Sequence, residues 1–277
     1  MGFLSKNKFL LVILLFTLMA AGAGFWYQYQ NRAIPSDAHY PKLQGIPILM
    51  YHKVNPDPRT GGLGLRVPPD KFDWQMRYLK ENGYEAISLA DVMDHFEKGK
   101  HLPDKPVVIT FDDGYKDNYD FAYPIMKKYG FTGTIFVVSR SIGNTNFYDV
   151  EKKLQPENKI MGWKEIRELD QAGFVIGAHT VDHPHLAKVS MEAARYQIEE
   201  SKRALEHGLQ KPVDFFCYPY GSHNDTVANL VKEAGYRAAV TTQLGLAKLD
   251  ADPFKTPRIR VTGHYSKEKF IEELHKY

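Results

Sequence analysis

Four times along the chain a helix-forming stretch runs into a glycine, an aromatic residue and an apolar run: Asn82-Gly83-Tyr84, Tyr129-Gly130-Phe131, Ala172-Gly173-Phe174 and Ala234-Gly235-Tyr236. A glycine just past a helix end supplies the left-handed residue that caps it. The apolar run behind it sends the chain straight back as a strand. Repetition of this unit restricts the fold to alternating helices and strands, and therefore to a parallel sheet. The β-rich runs are 46–51, 107–111, 134–138, 174–178, 215–218, 238–242 and 259–261, about seven strands. Helical periodicity falls between them at 69–82, 89–98, 119–129, 163–172, 191–207 and 225–234. The stretch 143–160 carries no clear pattern and reads as a rim loop.

The chain has 277 residues, a size that α/β barrels reach as one unit. Its net charge of +3 and scattered Lys and Arg exclude a nucleic-acid footprint. The N-terminus differs from the rest. Lys6 and Lys8 precede 9–27, which carries no charge and as a helix is long enough for a bilayer core of about 30 Å. Ala20-Ala21-Gly22-Ala23-Gly24 would suit a signal peptidase, whereas Phe25, Trp26 and Tyr27 suit an interfacial belt. Residues 1–27 are thus expected to be a signal peptide or a membrane anchor, 28–45 a linker and 46–277 the folded domain. Either form of the leader puts the domain on the extracellular side, anchored or secreted. The single cysteine, Cys217, rules out an internal disulfide.

Two motifs carry the chemistry. Thr110-Phe111-Asp112-Asp113-Gly114-Tyr115 closes one apolar run, and His179-Thr180-Val181-Asp182-His183 closes another. In α/β folds the carboxyl ends of strands form the face where sites lie. Two imidazoles and one carboxylate make a facial site with open positions for a divalent metal and its water. Adjacent residues at a strand end diverge, so one aspartate can ligate while the other takes a proton from water. Zn²⁺, Co²⁺ and Ni²⁺ all suit these donors, zinc foremost. His185 is placed outside the ligand set. Trp163 is expected to line the cleft or pack a helix, and Thr60-Gly61-Gly62-Leu63-Gly64 to form a mobile loop near the site rather than a phosphate loop.

Thr-Phe-Asp-Asp-Gly-Tyr followed by His-Thr-x-x-His resembles the polysaccharide deacetylase family, carbohydrate esterase family four, over roughly residues 46–262. The resemblance implies a deformed, incomplete (β/α) barrel, here preceded by the N-terminal hydrophobic helix. It further implies Asp112 as catalytic base, Asp113, His179 and His183 as metal ligands, and removal of N-acetyl groups from an N-acetylglucosamine polymer. Phe216-Cys217-Tyr218-Pro219-Tyr220-Gly221 stands where the family has Arg-x-Pro-Tyr. A backbone N–H at Tyr220 would serve the oxyanion, but Cys217 replaces the arginine that orients the base. The chain is similar in this loss to the branch acting on poly-β-1,6-N-acetylglucosamine, which also carries Met-Tyr-His on its first strand, matched by Met50-Tyr51-His52. His52 is accordingly expected to be the general acid, with His264 as its rival, and Arg258 or Arg260 to replace the missing arginine. Peptidoglycan or chitin oligosaccharides are the alternative substrates, and a glycan-binding module on an inactive barrel the non-enzymatic alternative.

Overall fold

The computed structural model describes residues 34–37, 40–41 and 43–277. The expected N-terminal hydrophobic helix and half of the expected linker lie outside the described residues. Among those described, no helix is long and apolar enough to cross a membrane.

Asp37–Tyr277 form one compact unit built on a closed ring of parallel strands. In chain order the strands are β1 (Ile48–Tyr51), β2 (Lys53–Val54), β3 (Arg66–Val67), β4 (Glu85–Ala86), β5 (Pro106–Phe111), β6 (Thr134–Val137), β7 (Val175–Ala178), β8 (Phe215–Cys217), β9 (Ala238–Leu244) and β10 (Thr256–Arg260). The ring runs β1-β5-β6-β7-β8-β9-β10 and back to β1, seven strands, with β4 added outside on β5 and β2–β3 forming a separate pair. All seven expected strands are barrel staves. Closure comes from β1, which pairs Leu49 with Ile259 on one side and with Ile109 on the other. The barrel is deformed at two seams. β7 and β8 share one register pair, Ala178 with Phe216, and the β9–β10 ladder shifts register between Thr256 and Arg258.

Among the described residues, eight α-helices lie between and after the strands: α1 (Pro69–Glu81), α2 (Leu89–Lys98), α3 (Tyr123–Tyr129), α4 (Phe147–Val150), α5 (Trp163–Gln171), α6 (Met191–Leu209), α7 (Asp225–Glu233) and α8 (Lys267–Leu274). The capping glycines behave as the cadence requires: Gly83, Gly130, Gly173 and Gly235 all have φ between 71 and 89°. The expected helix 119–129 instead opens with a π turn over Asn118–Ala122. Pro124 accounts for it, because it lacks an N–H and its ring clashes with the carbonyl four residues back. The patternless stretch contains α4, and it is pinned by bridges from Thr145 to Lys159 and from Tyr115 to Ile160. α8 lies beyond the expected elements; Ser266 caps it, and its Phe270 packs edge-on against Trp74 and Tyr78 of α1.

Period-two alternation divides the staves. Ile48, Val108, Phe136, Cys217 and Val240 join one buried cluster with Leu89, Val92 and Met93 of α2. Tyr51 faces the other way, packing edge-on against Phe72 of α1. At about 25 cal/mol per Å² of apolar surface, this two-sided burial stabilises a domain without disulfides.

Candidate active site

Every expected site residue follows the carboxyl end of a stave. His52 follows β1, Asp112 and Asp113 follow β5, His179 follows β7, and Tyr220 lies just past β8. These residues, with His183 and Arg260, line one cavity of about 530 Å³.

The backbone is bent sharply to present them. Among the described residues, four of the six non-glycine residues with positive φ are Asp113 (73°), Thr180 (67°), His183 (56°) and Tyr220 (58°). Such conformations cost on the order of 1–3 kcal/mol each and persist where the surroundings enforce them. Gly114 continues the left-handed turn at φ 75°, where a Cβ would press on Val137 at 3.3 Å. Gln197 of α6 enforces the His loop: its Oε1 accepts the N–H groups of Val181 at 3.0 Å and Asp182 at 2.9 Å. Thr180 Oγ1 accepts the N–H of His183 at 2.9 Å.

Asp113, His179 and His183 bring one donor atom each within 4.8 Å of the others, all buried. Both imidazole Nε2 atoms stand 3.3 Å from Asp113 Oδ1, which makes no hydrogen bond. His179 Nδ1 is 2.7 Å from the Cys217 carbonyl. A carbonyl only accepts, so Nδ1 carries a proton. Against burial, Cys217 and Asp113 pull a second proton onto the ring, and a cation displacing it would meet the Nε2 lone pair facing the cluster. Burial pushes His183 down to about 4, which leaves a neutral imidazole. A divalent cation fits this arrangement, because it satisfies an unpartnered carboxylate oxygen and an inward lone pair together. His185 stays outside, stacked on the Tyr220 ring at 4.0 Å.

Asp112 lives in different surroundings. Arg258, fully buried at 0% exposure, donates from Nη1 to Asp112 Oδ1 and from Nη2 to Oδ2, each at 2.7 Å. The remaining guanidinium hydrogens go to Thr110 Oγ1 at 3.0 Å, the Thr241 carbonyl at 2.9 Å and Cys217 Sγ at 3.3 Å. Burial alone would raise the Asp112 carboxyl; Arg258 overcomes it and holds the group below the usual carboxylate range. His52 Nε2 sits 3.9 Å from Asp112 Oδ2. Burial lowers its pKa against the upward pull of Asp112 and Asp113.

The arginine absent from position 217 is thus supplied by position 258, and the cysteine sulfur receives one of its hydrogens. Arg260 is exposed at the cleft rim, its Nη2 on the Gly64 carbonyl at 3.3 Å. His264 is exposed and is not among the cavity-lining residues. Trp163 packs between helices: a Cβ on Gly208 of α6 would collide with its ring at 2.0 Å. The glycine loop lies at the site, with Gly62 and Gly64 lining the cavity, and it is anchored by Lys53 Nζ on the Thr60 carbonyl at 2.7 Å and the Gly263 N–H on Leu63 O at 2.8 Å. Sequence reading missed Gln197 and Asp149. Gln197 was detectable as a polar residue on the stripe Ala194, Ile198, Ser201 and Leu205. Asp149 sits in the patternless stretch and gave no signal.

The profile of the polysaccharide deacetylase family matches residues 99–239. The chain is 32% identical to the Bacillus subtilis protein YxkH over 225 residues, 81% of this chain and 74% of that one. The chain belongs to the polysaccharide deacetylase family. It is 29% identical over 234 residues to the poly-β-1,6-N-acetyl-D-glucosamine N-deacetylase of Staphylococcus epidermidis, covering 77% of this chain and 78% of that protein. Among solved structures it is similar to the Streptococcus pyogenes deacetylase PplD in complex with acetate. There the TM-score is 0.72 at 29% identity, over 83% of this chain and 98% of that one. BC0361, a polysaccharide deacetylase from Bacillus cereus, gives 0.70 at 27% identity, over 83% and 69% of the two chains. Family membership makes this barrel a polysaccharide deacetylase fold, and the Asp112–Arg258 pair lies beside the Asp113, His179 and His183 cluster at its cleft.

Proposed function

We propose that the protein is a metal-dependent N-deacetylase that removes acetyl groups from an extracellular N-acetylglucosamine polymer, with poly-β-1,6-N-acetylglucosamine as the leading substrate. The observation that carries this reading is the division of labour between neighbouring aspartates. Asp113 faces two imidazoles, whereas Asp112 is gripped by Arg258 and faces His52. A divalent cation held by Asp113, His179 and His183 would supply Lewis acidity at the acetamide carbonyl and acidify the attacking water. Asp112 takes the proton from that water, and Arg258 keeps its carboxylate ionised and aimed. The Tyr220 backbone N–H is assigned to the developing oxyanion. His52 gives a proton to the departing nitrogen, so that acetate and a free amine leave. The similarity to the S. epidermidis enzyme supports the β-1,6 polymer, as do Met50-Tyr51-His52 and the displaced arginine. On this reading residues 1–27 carry the domain across the membrane, as signal or anchor, and 28–45 link it to residues 46–277; mass analysis of the mature N-terminus distinguishes the two.

The test is acetate release by the metal-replete protein from β-1,6 and β-1,4 N-acetylglucosamine oligomers and from peptidoglycan, with and without chelator. Chelator-sensitive release, greatest from the β-1,6 oligomer, is the expected result. Greater release from peptidoglycan or chitin oligomers would overturn the substrate, and none from any polymer would favour a glycan-binding module.

A further inference from the structure

The cleft has a third carboxylate that the reaction does not use. Asp149 of α4 is 5% exposed and lines the same cavity as Asp113 and His52. Its partners are weak. Among the described residues, its oxygens accept hydroxyl hydrogens from Tyr115 at 3.5 Å and Tyr220 at 3.4 Å, and it forms no ion pair. The two nearby lysines pull on it only from a distance: Lys53 Nζ donates to Thr60 O and Gln155 Oε1, Lys152 Nζ lies over the Tyr220 ring at 5.9 Å, and neither makes an ion pair with Asp149. Burial, reinforced by Asp113, raises the Asp149 carboxyl to about 6, so it is mostly ionised at neutral pH without a bound counter-charge.

Asp112 has Arg258, and Asp113 has the histidine cluster. Asp149 has only neutral donors, and burying a carboxylate on such terms is costly unless a cation arrives. A sugar hydroxyl would add another neutral donor. The reaction itself makes the missing cation, because each acetyl group removed leaves an amine that is protonated near neutral pH. Tyr220, 36% exposed, keeps its hydroxyl on Asp149 at the cleft, so the carboxylate stands where a polymer ring can reach it.

We propose that Asp149 is a specificity-determining residue that binds the ammonium of a glucosamine ring in the polymer, so that a partly deacetylated chain is held in preference to a fully acetylated one. The proposal rests on the hexosamine-polymer reading above and deepens it. A chain that has lost some acetyl groups is then a better ligand than an untouched one.

The test is titration of metal-replete wild type, Asp149→Asn and Asp149→Ser with two probes: an oligomer of glucosamine and the matching N-acetylated oligomer. Circular dichroism melts report folding. The expected result is an affinity loss at least five-fold greater for the cationic probe than for the acetylated one, in both variants. Equal losses for both probes would show that Asp149 only positions Tyr115 and Tyr220, and would overturn the proposal. Unchanged affinity for the glucosamine oligomer would overturn it as well. Acetate release by wild type is scored separately: its absence refutes the deacetylase reading, whereas the probe comparison decides the role of Asp149 on binding alone.

Discussion

Arg258 and Asp112 meet through two parallel hydrogen bonds of 2.7 Å, across a barrel interior in which the arginine has no exposure. The pair joins the last stave to the loop after β5. The planar fork fixes both carboxylate oxygens at once, which a lysine ammonium cannot do. Arg258→Lys is therefore expected to keep a charge but lose the aim of the base. Turnover should fall roughly 100-fold, within the range contributed by a positioned base, while KM and metal content stay near wild type. Arg258→Met should also melt earlier, because an unpaired buried carboxylate costs about 3–5 kcal/mol. Steady-state kinetics, metal analysis and calorimetry check these outcomes, and wild-type turnover in Arg258→Lys would show that Asp112 needs no such holder.

The two neighbouring aspartates should fail in different ways. Asp112→Asn is expected to lose turnover and keep the metal, because both its oxygens are held by Arg258 and it is not one of the three donors that converge at Asp113, His179 and His183. His183→Ala removes one of three converging donors and should lower metal affinity by at least ten-fold, with turnover recovered in part by excess metal. Metal content per chain and acetate release, measured on the same samples, separate the cases. Metal loss in Asp112→Asn would reverse the assignment of base and ligand.

Much of this geometry was legible in the sequence, for physical reasons that differ by residue. The staves were readable because their strands are short apolar runs bounded by caps, and closure of the ring put every strand end on one face. The start of β10 was not readable, because Pro257 argues against a strand; β10 tolerates it beside the register shift at Thr256 and Arg258. The replacement arginine was narrowed to two residues and no further. Arg258 and Arg260 are two apart, so strand alternation puts both on the inner face. Depth separates them: Arg258 lies beside Thr110 and Asp112, whereas Arg260 stands at the mouth. Depth depends on strand register, which no local pattern encodes. α4 is four residues long and held by bridges from distant segments, so its Asp149 had no periodicity to reveal it.

His52 and His264 are both candidates for the acid in sequence, but they occupy different places. His52 lines the cavity 3.9 Å from Asp112, and His264 is exposed outside the lining. His52→Ala is expected to reduce kcat by about 100-fold, the scale of a lost general acid. His264→Ala should stay within two-fold of wild type. A loss confined to His264→Ala would move the acid to the late strand and require the cleft to rearrange around it.

Asp117 provides a pH signature outside the chemistry. It is buried, accepting the Val54 N–H at 3.4 Å and the Asn55 side-chain amide at 3.1 Å, and burial raises its carboxyl to about 7 despite those bonds and Lys53. An unfolded aspartate titrates near 4. Between pH 4 and 7 the unfolded chain has therefore released this proton while the folded chain still holds it. By linkage, this group's contribution to stability falls as pH rises through that window and is level above it. Asp117→Asn removes the titration. Relative to wild type, the variant should be more stable at pH 8 than at pH 5 by roughly 2–4 kcal/mol in the difference of differences. Any fixed cost of the amide beside Asn55 cancels in that comparison. Denaturant unfolding of both proteins at the two pH values measures it; a pH-independent difference would show that Asp117 stays ionised in the folded protein, with Lys53 close enough to neutralise it.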